Sequence, residues 1–376
     1  MRSFLPDRIV NDDRVSGSPA QYVMEQPAWT ATQIITLISG NDAPLYSDFF
    51  VRDNRVACYG NSWAYIKQAC RGLGSSLKYH DGDVLLSVGR HRGHYVVVRP
   101  LGNIDRGFIN LLRTLHEISG KPVFIKKLFP DQVARLHALG AFSEAASYST
   151  AENKAYTGPY PWDTVHFADD DTYPEVILDL GITLKYRMKP QQWLNELQLA
   201  LVHPLEKPQL KTIKTSYRRF RRNIKQFLKL GIECRLKEYD AGSADEIRRF
   251  LLTYFGPTRK ENVTAYEVML ASPRAGANGN DRFCFVARVG GVESPVGFFF
   301  VERLDKESAG LYAGVVSRSH PGLPEYLRVC MMSRLQEAGI RFLNLGGSET
   351  ESLHAFKRKQ GPVEERYMRM LAYGVD

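Results

Sequence analysis

The sequence predicts an α/β (α+β) protein of two domains, each a mixed, mostly antiparallel sheet flanked by helices. The chain has 376 residues, which is more than one hydrophobic core usually organises. In both halves, short apolar runs typical of strands alternate with runs of helical period. Between the two series, residues 150–173 contain Gly158, Pro159, Pro161 and an acidic run, a composition typical of a linker.

The predicted division is a flexible, polar N-terminal arm at residues 1–26, a first domain at residues 27–160 and a second domain at residues 170–376. In the first domain, the pattern predicts strands and helices in alternation. The strands are expected at residues 83–88, 95–101 and 122–126, and the helices at 62–73, 106–119 and 131–139.

The second domain has more strand candidates. Strands are expected at residues 175–180, 232–239, 283–289, 296–303, 310–317, 342–345 and 366–373. Helices are expected at residues 190–201, 209–230, 243–254, 261–271 and 323–338, with a last one from residue 348. Gly231 suits the end of the long helix, and Ser243 with Glu246 three positions on has the capping-box pattern.

The chain is basic. Lysine and arginine outnumber aspartate and glutamate by 50 to 41, which gives a formal net charge of +9 at pH 7. Such a charge favours acidic partners, among them nucleic acid, anionic lipid and phosphorylated cofactors. The longest apolar runs, such as residues 296–301, are too short to cross a bilayer. We therefore expect a cytoplasmic protein without a transmembrane segment, for which peripheral contact with an anionic membrane is compatible with the charge.

Metal and redox chemistry have little support in the sequence. The five cysteines are scattered without a Cys-x-x-Cys pair, and we expect them to be buried thiols. His91 and His94 are close together, but they lack a cysteine or carboxylate at ligand spacing. We expect no metal and no resident cofactor.

The long helix at residues 209–230 is cationic and contains no carboxylate. No acidic residue lies between Glu206 and Glu233. Apolar residues recur at alternating spacings of four and three, which predicts a buried stripe and an opposite cationic face. Like charges at these spacings repel one another unless an anion offsets them. We therefore expect this face to bind a polyanion, with nucleic acid ahead of anionic membrane; a solvated face without a ligand is the alternative. The stripe residues are Ile213, Tyr217, Phe220, Ile224 and Phe227.

A second segment, residues 342–361, joins a buried strand, a glycine turn and a cationic helix. Gly346 and Gly347 allow turn conformations that other residues avoid. Ser348, with Glu351 three positions on, has the capping-box pattern that opens a helix. Cations near the end of this helix meet the negative end of its macrodipole and can still reach a polyanionic ligand.

Two motifs carry a resemblance to a known family. Residues 217–225 read Tyr-Arg-Arg-Phe-Arg-Arg-Asn-Ile-Lys, and a Leu-Gly-Ile-Glu-Cys strand start follows. Residues 343–347 read Leu-Asn-Leu-Gly-Gly, and the pair Phe356-Lys357 follows on the helix. Together they resemble the Fem-like branch of the GNAT acyltransferase superfamily, which includes the C-terminal domain of phosphatidylglycerol lysyltransferases.

The resemblance covers most of residues 170–376 and, by architecture only, residues 30–150. It implies tandem GNAT-like domains and transfer of an aminoacyl group from aminoacyl-tRNA to an amine or hydroxyl of a small molecule, peptide or protein. Aminoacyl-tRNA would then be a co-substrate. The first domain is expected to be non-catalytic, because nothing in it resembles the motifs of the second.

The resemblance also implies roles for residues of the second domain. Lys357 would neutralise negative charge on the tetrahedral intermediate or the departing ribose oxygen, with Phe356 packed beneath it. A main-chain N–H in the strand at residues 310–317 would be the oxyanion donor. The candidate general bases, which spacing does not rank, are Glu325, Glu349 and Glu351. The residues expected to contact tRNA are Lys211, Lys214, Arg218, Arg219, Arg221, Arg222, Lys225, Lys229, Arg358 and Lys359. The residues expected in the donor pocket are Asn344, Gly346, Gly347, Ser348 and Arg318.

Two alternatives stay open at this stage. One is an N-acyltransferase that uses acyl-CoA or acyl carrier protein, and the other is a non-catalytic protein that binds nucleic acid or anionic lipid. GNAT enzymes that use acyl-CoA usually have Gln/Arg-x-x-Gly-x-Gly/Ala at the strand-to-helix turn. Here Pro321 and Pro324 lack the N–H that such a turn uses, and Gly322 is displaced by one position. This departure favours tRNA over acyl-CoA as the donor.

Overall fold

The computed structural model describes residues 34–63, 65–66, 77–80, 83–91, 94–140, 147–149, 173–239, 244–255, 282–290, 294–348 and 351–374. The predicted arm at residues 1–26 and the predicted helix at residues 261–271 lie outside these residues. So do most of the predicted linker and most of the predicted helix at residues 62–73. The described residues form two seven-stranded sheets with helices packed against them, and the predicted fold class is confirmed.

The N-terminal half contributes six strands and three α-helices to the described structure. The strands are β1 (Ile34–Leu37), β2 (Leu77–His80), β3 (Val84–His91), β4 (His94–Gly102), β5 (Val123–Leu128) and β6 (Ser147–Ser149). The helices are α1 (Ala43–Asp53), α2 (Arg106–Ser119) and α3 (Pro130–Ala138). Helix α2 begins where the Asp105 carboxylate accepts hydrogen bonds from the N–H groups of Gly107 and Phe108, and it ends at Gly120 in the left-handed conformation.

The remaining described elements are β7 (Glu175–Asp179), which follows the six strands of the N-terminal half, and the elements of the C-terminal half. The other strands are β8 (Cys234–Glu238), β9 (Arg282–Val289), β10 (Gly297–Arg303), β11 (Ser308–Val316), β12 (Phe342–Asn344), β13 (Glu364–Arg366) and β14 (Arg369–Tyr373). The helices are α4 (Leu180–Thr183), α5 (Pro190–Ala200), α6 (Lys207–Lys229), α7 (Ala244–Phe255), α8 (Leu323–Glu337) and α9 (Glu351–Arg358).

The two sheets repeat one arrangement. Their strand orders are β1-β2-β3-β4-β5-β14-β6 and β8-β9-β10-β11-β12-β7-β13. In each sheet the fourth and fifth strands are parallel, β4 with β5 and β11 with β12, and every other pair of neighbours is antiparallel. Helices α2 and α8 make the crossovers that parallel neighbours require. The halves are therefore structural repeats.

The sixth strand of each sheet is exchanged between the halves. Strand β7 follows the N-terminal half and lies in the second sheet, whereas β14, at the C-terminus, lies between β5 and β6 in the first. The strand predicted at residues 366–373 is therefore wrong as one element. It is two strands, β13 and β14, because the chain leaves one sheet and enters the other between them. The predicted span 170–376 for the second domain thus includes a strand of the first sheet.

The halves also share a hydrophobic core. One buried cluster contains Tyr46 and Trp63 from the N-terminal half together with Phe298 and Phe300 from β10. At its centre the ring centroids of Tyr59 and Tyr312 are 4.5 Å apart. The Tyr312 hydroxyl donates to the main-chain oxygen of Tyr59 at 2.7 Å, and the Tyr59 hydroxyl donates to that of Leu311 at 3.1 Å. Separation of the halves would expose this apolar surface and break both hydrogen bonds.

We expect Leu371→Ala to destabilise the N-terminal half. Leu371 lies on β14 and is fully buried in the cluster that includes Leu112 and Ile125. Removing a buried leucine side chain costs about 2–5 kcal/mol. Urea unfolding, with hydrogen exchange of the amides in β4 and β5, measures the effect. Leu353→Ala, at a 37% exposed position on α9, is the control; an equally small change in both variants would contradict this role of β14.

Candidate functional site

Helix α6 presents its predicted cationic face to solvent. Its five stripe residues are all buried, which confirms the predicted amphipathic arrangement. Lys214 and Arg221 are half-buried; Lys214 donates to the side-chain oxygen of Gln191, and Arg221 to the main-chain oxygen of Arg187 at 3.3 Å. Within the described part of the chain, none of the predicted tRNA-contacting residues of α6 forms an ion pair. The exposed members are Lys211, Arg218, Arg219, Arg222, Lys225 and Lys229.

Helix α6 lies directly against the N-terminus of α8. Gly322, the N-cap of α8, has a φ of +80°, and a Cβ there would lie 1.9 Å from the main-chain oxygen of Asn223. The Asn223 side chain donates to Glu325 Oε1 at 2.9 Å, and Lys359 Nζ donates to the same oxygen at 2.6 Å. The buried Glu325 carboxylate thus lies in the first turn of α8, where the helix dipole favours an anion.

These contacts keep Glu325 ionised. Burial raises the pKa of Glu325, but hydrogen bonds from Lys359 and Asn223 outweigh burial and hold this pKa below its ordinary value. A carboxylate of low pKa is a weak proton acceptor. The geometry therefore gives Glu325 a positioning role: as an acceptor on α8, it holds Asn223 of α6 and Lys359 in place.

Arg328, one turn further along α8, is a buried cation without an ion-pair partner among the described residues. The residue is 7% exposed, and its guanidinium carbon lies 5.7 Å from the ring centroid of Phe299 and 5.5 Å from that of Phe356. Its Nε is buried without a hydrogen bond, and Arg328 forms no ion pair with any described residue. Burial lowers the pKa of Arg328 to about 10, against the attraction of Glu325, so the side chain stays charged at neutral pH.

Three other buried cationic side chains of the described structure have carboxylate partners. A buried charge is costly unless it is paired, so the difference at Arg328 is informative. The pairs are Arg99 with Asp53, Lys127 with Glu175 at 3.3 Å, and Arg282 with Glu302 at 3.6 Å.

Arg328 lies beside an open edge of β11. Strand β12 pairs with Ser308, Ala309 and Gly310 at the start of β11, and no other described strand pairs with residues 311–316 on that side. Gly314, within this stretch, is exposed. Nη2 and Nη1 of Arg328 lie 3.2 and 3.4 Å from the position that a Cβ on Gly314 would occupy. The diverging part of the parallel pair therefore combines accessible main chain with a buried positive charge.

The first sheet also has a buried arginine near its parallel pair, but this one is paired. Arg99 follows the paired part of β4 and is fully buried. Its Nη2 donates to Asn61 Oδ1 at 2.9 Å and to the carboxylate of Asp53. A Cβ on Gly60 would lie 3.0 Å from Arg99 Cδ, so the loop after α1 packs against this side chain. The charge of Arg99 is thus balanced within the protein.

The predicted glycine turn is fixed where the halves meet. Lys357, on α9, donates to the main-chain oxygens of Gly346, at 3.2 Å, and Gly347. A Cβ on Gly346, whose φ is +67°, would lie 2.8 Å from the ring of Tyr59. Asn344 is fully buried, and its Oδ1 accepts the N–H of Gly346 at 2.8 Å. Lys357 is half-buried and braces this turn.

The remaining predicted residues fall into different surroundings. Phe356 contacts Arg328, whereas Glu349 lies outside the described residues. Arg358 and Lys359 are paired inside the protein, since Arg358 Nε lies 2.6 Å from Glu365 Oε1 and Lys359 contacts Glu325. The residues Glu351 and Arg318 are exposed.

The capping box predicted at Ser348 is wrong. Such a cap needs the Ser348 Oγ to accept the N–H of Glu351 on α9, but this buried oxygen has no hydrogen-bond partner among the described residues. Ser348 instead forms an antiparallel bridge with Tyr173, whose N–H donates to the Ser348 main-chain oxygen at 3.1 Å. Pairing with a residue distant in sequence keeps the chain extended at this position.

Sequence reasoning missed Arg328. The available signal was its place in the run Leu-Arg-Val-Cys-Met-Met at residues 327–332, where an arginine interrupts an apolar segment. Burial of both flanking residues, Leu327 and Val329, shows that this helix is enclosed on several sides. The proximity of Gly314 and Phe356 to Arg328 depends on tertiary packing.

Comparison with known proteins supports the fold. No protein-family model and no curated protein matches the sequence. Among solved structures, the chain is similar to a conserved protein of unknown function from Bacteroides thetaiotaomicron VPI-5482, with 14% identity, a TM-score of 0.62 and coverage of 90% of this chain and 100% of that chain. It is also similar to FemX (11% identity, TM-score 0.49, 90% and 97% covered) and to L-PGS from Bacillus licheniformis (13%, 0.47, 89% and 92%). The similarity to the Bacteroides protein shows that the two chains share a fold.

The described residues contain neither a candidate membrane-spanning helix nor a candidate metal site. None of their helices combines the length and apolar character that a bilayer crossing needs. Nor do three or more His, Cys, Asp or Glu side chains among them gather as metal ligands would.

His354, on α9, provides a pH-dependent contact near the glycine turn. Its ring stacks on Tyr173 with centroids 5.0 Å apart, and its Nε2 lies 3.7 Å from Glu365 Oε1. Burial, together with the charges of Arg358 and Lys357, lowers the pKa of His354 to about 4. The folded protein therefore resists protonation of His354 at pH values where the unfolded chain accepts a proton.

We expect the free energy of unfolding to fall as the pH is lowered from about 6.5 to about 4, because over this range the unfolded chain binds the His354 proton and the folded chain does not. His354→Phe keeps the stack on Tyr173 and removes the titration, so its stability should depend less on pH. Urea unfolding at a series of pH values measures this. His203→Phe, at an exposed position, is the control; the same pH profile in wild type and His354→Phe would refute the assignment.

Proposed function

We propose that the protein is an acyltransferase that moves an aminoacyl group from aminoacyl-tRNA to an amine or hydroxyl of a small molecule, peptide or protein. The observation that carries the proposal is the exposed cationic face of α6, which lacks ion-pair partners among the described residues and adjoins the N-terminus of α8. The open edge of β11 belongs to the same half of the protein.

The charge of α6 suits a polyanion. Cations three and four residues apart on one helix repel each other, and here no carboxylate of the described structure relieves this repulsion. Phosphate groups would relieve it and release counterions on binding. The helix spans Lys207–Lys229, about 34 Å at 1.5 Å per residue, so it can contact several successive phosphates.

The start of α8 supports tRNA over acyl-CoA as the donor. A pyrophosphate bound there would need free N–H groups at the helix N-terminus. The buried Glu325 carboxylate already lies in this first turn, and Pro324 contributes no N–H. The Asn223 main-chain oxygen closes the approach to Gly322. An incoming diphosphate would meet a carboxylate and a carbonyl oxygen.

The reaction proposed is attack on an activated ester. The acceptor nitrogen or oxygen forms a bond to the aminoacyl carbonyl carbon, the bond to the ribose oxygen breaks, and the proton lost by the acceptor balances the proton gained by the ribose hydroxyl. Such a step needs positioning and stabilisation of the oxyanion more than a covalent nucleophile. Main-chain N–H groups of residues 311–316 are the groups that could supply this stabilisation, and Lys357 braces the turn at Gly346 and Gly347.

We expect the triple variant Arg218→Glu, Arg222→Glu and Lys225→Glu to bind tRNA at least about tenfold more weakly and with a shallower salt dependence. Each lost phosphate contact removes somewhat less than one unit from the slope of log K against log salt, about 0.9 for duplex nucleic acid. Filter binding over a salt series measures both. The control, Arg106→Glu with Arg113→Glu and Arg135→Glu, changes the charge equally at exposed helical positions of the first half. Equal losses in both variants would exclude α6 as the tRNA-binding surface.

We expect product formation from charged tRNA and none from acyl-CoA or acyl carrier protein. The purified protein is incubated with total aminoacyl-tRNA and a small-molecule extract, and mass spectrometry identifies products that gain an aminoacyl mass. The same incubation with acetyl-CoA, or with an acylated carrier protein, tests the alternative donors. Transfer from acyl-CoA alone would replace the proposed donor, and tRNA binding without transfer would favour a non-catalytic protein.

A further inference from the structure

The positive charge of Arg328 is not balanced by the groups around it. Glu325 is the carboxylate whose attraction Arg328 feels, but Glu325 Oε1 lies 2.6 Å from Lys359 Nζ. The Glu325–Lys359 pair is neutral as a unit, so one positive charge remains on Arg328. Burial of that charge without a partner destabilises the protein unless something else uses it.

The surroundings of Arg328 leave one part of its guanidinium for a ligand. The rings of Phe299 and Phe356 lie 5.7 and 5.5 Å from the guanidinium carbon and occupy space around the group. The terminal nitrogens Nη2 and Nη1 lie 3.2 and 3.4 Å from the position of a Cβ on Gly314, a residue that is exposed and has no side chain to cover them. A planar group approaching along β11 would therefore meet the terminal N–H donors.

We propose that Arg328 binds a carboxylate of the substrate at the open edge of β11 beside Gly314. A guanidinium presents parallel N–H donors that match the two oxygens of a carboxylate. The absence of a Cβ at residue 314 lets the Arg328 guanidinium lie close to this exposed position of the strand, since a Cβ there would be 3.2 Å from Nη2. Binding would replace the missing counter-charge and satisfy donors that have no partner within the described protein.

The charge of the site favours a carboxylate over a phosphate. A monoanion bound to Arg328 makes the group of Arg328, Lys359, Glu325 and ligand neutral. A phosphate dianion would leave an excess negative charge next to the Glu325 carboxylate, in a region shielded from water. The single cation and its aromatic neighbours thus fit a small organic acid.

The proposed function restricts where this carboxylate comes from, and only this step rests on that function. The α-carboxylate of an aminoacyl-tRNA is already esterified, so it carries no negative charge. The carboxylate therefore belongs either to the acceptor, as an amino acid or peptide, or to the side chain of an acidic aminoacyl group. Both sources present the same group to Arg328.

Binding is tested with the full chain and without tRNA. The probes are N-acetylglycine, its neutral amide N-acetylglycinamide, and inorganic phosphate at matched ionic strength, and the readouts are the midpoint of thermal unfolding and calorimetric titration. We expect N-acetylglycine to raise the midpoint for the wild type and the amide to leave it unchanged. A larger shift with phosphate, or no shift with N-acetylglycine, would overturn the proposal.

Variants at residue 328 sharpen the test. Arg328→Met removes an unpaired buried charge at similar length, so it should fold at least as stably as the wild type, and it should lose the response to N-acetylglycine. Arg328→Lys keeps the charge but loses the paired donors, and its affinity should fall at least about tenfold. Arg334→Met, at an exposed position on the same helix, should respond like the wild type. An unchanged response in Arg328→Met would refute the site.

Transfer assays distinguish the two sources. If the acceptor supplies the carboxylate, converting that carboxylate to an amide should lower kcat/KM for the acceptor about 10–100-fold with the wild type. With Arg328→Met, the acid and the amide should react with similar kcat/KM. If the donor supplies it, aspartyl- and glutamyl-tRNA should be preferred to the asparaginyl and glutaminyl forms, and Arg328→Met should lose the preference. Transfer without either discrimination would contradict the proposal. Absence of transfer with carboxylate binding retained would count against the proposed function alone.

Discussion

The exchange of β7 and β14 is the constraint on which the rest of the structure depends. In each sheet an antiparallel strand lies beside the parallel pair. Strand β7 follows the first six strands in the chain but lies in the second sheet, and β14 follows the next six but lies in the first. The two halves are therefore tied together at both exchanged strands and across the shared aromatic core around Tyr59 and Tyr312. This fixed arrangement sets the glycine turn at Gly346 against Tyr59, where Lys357 and Asn344 hold it.

The repeated architecture shows how one arrangement serves two purposes. Both sheets contain a parallel pair that is joined over three residue pairs, and an arginine is buried near each pair. In the first sheet, Asp53 and Asn61 bind Arg99, so this arginine contributes to stability. In the second, Arg328 lacks such partners among the described residues, and Gly314 keeps the strand accessible. A charge that destabilises the free protein is consistent with a site that a ligand completes.

Helix α6 connects the surface charge to this site. Its apolar stripe is buried and packs α6 against the protein. On the same helix, Asn223 lies against Gly322 and donates a hydrogen bond to the Glu325 carboxylate. Lys359, which follows α9, donates to that carboxylate as well. Amphipathic periodicity predicted the stripe and the outward cations of α6, because side-chain direction in a helix follows from sequence spacing alone. The inward pairing of Arg358 with Glu365 and of Lys359 with Glu325 was not predicted, because it depends on carboxylates from distant segments.

The sequence by itself determined the fold class, most of the helices and strands it proposed within the described residues, the cationic face of α6 and the glycine turn, since all of these follow from local periodicity and backbone preference. Tertiary structure alone decided that β13 and β14 belong to different sheets, that Ser348 pairs with Tyr173 instead of capping a helix, and that Arg328 lies beside Gly314. Strand partners and the balance of buried charges are set by contacts between residues far apart in the chain. No local pattern encodes such contacts, so the proposed carboxylate site could be recognised only after the two halves had been brought together.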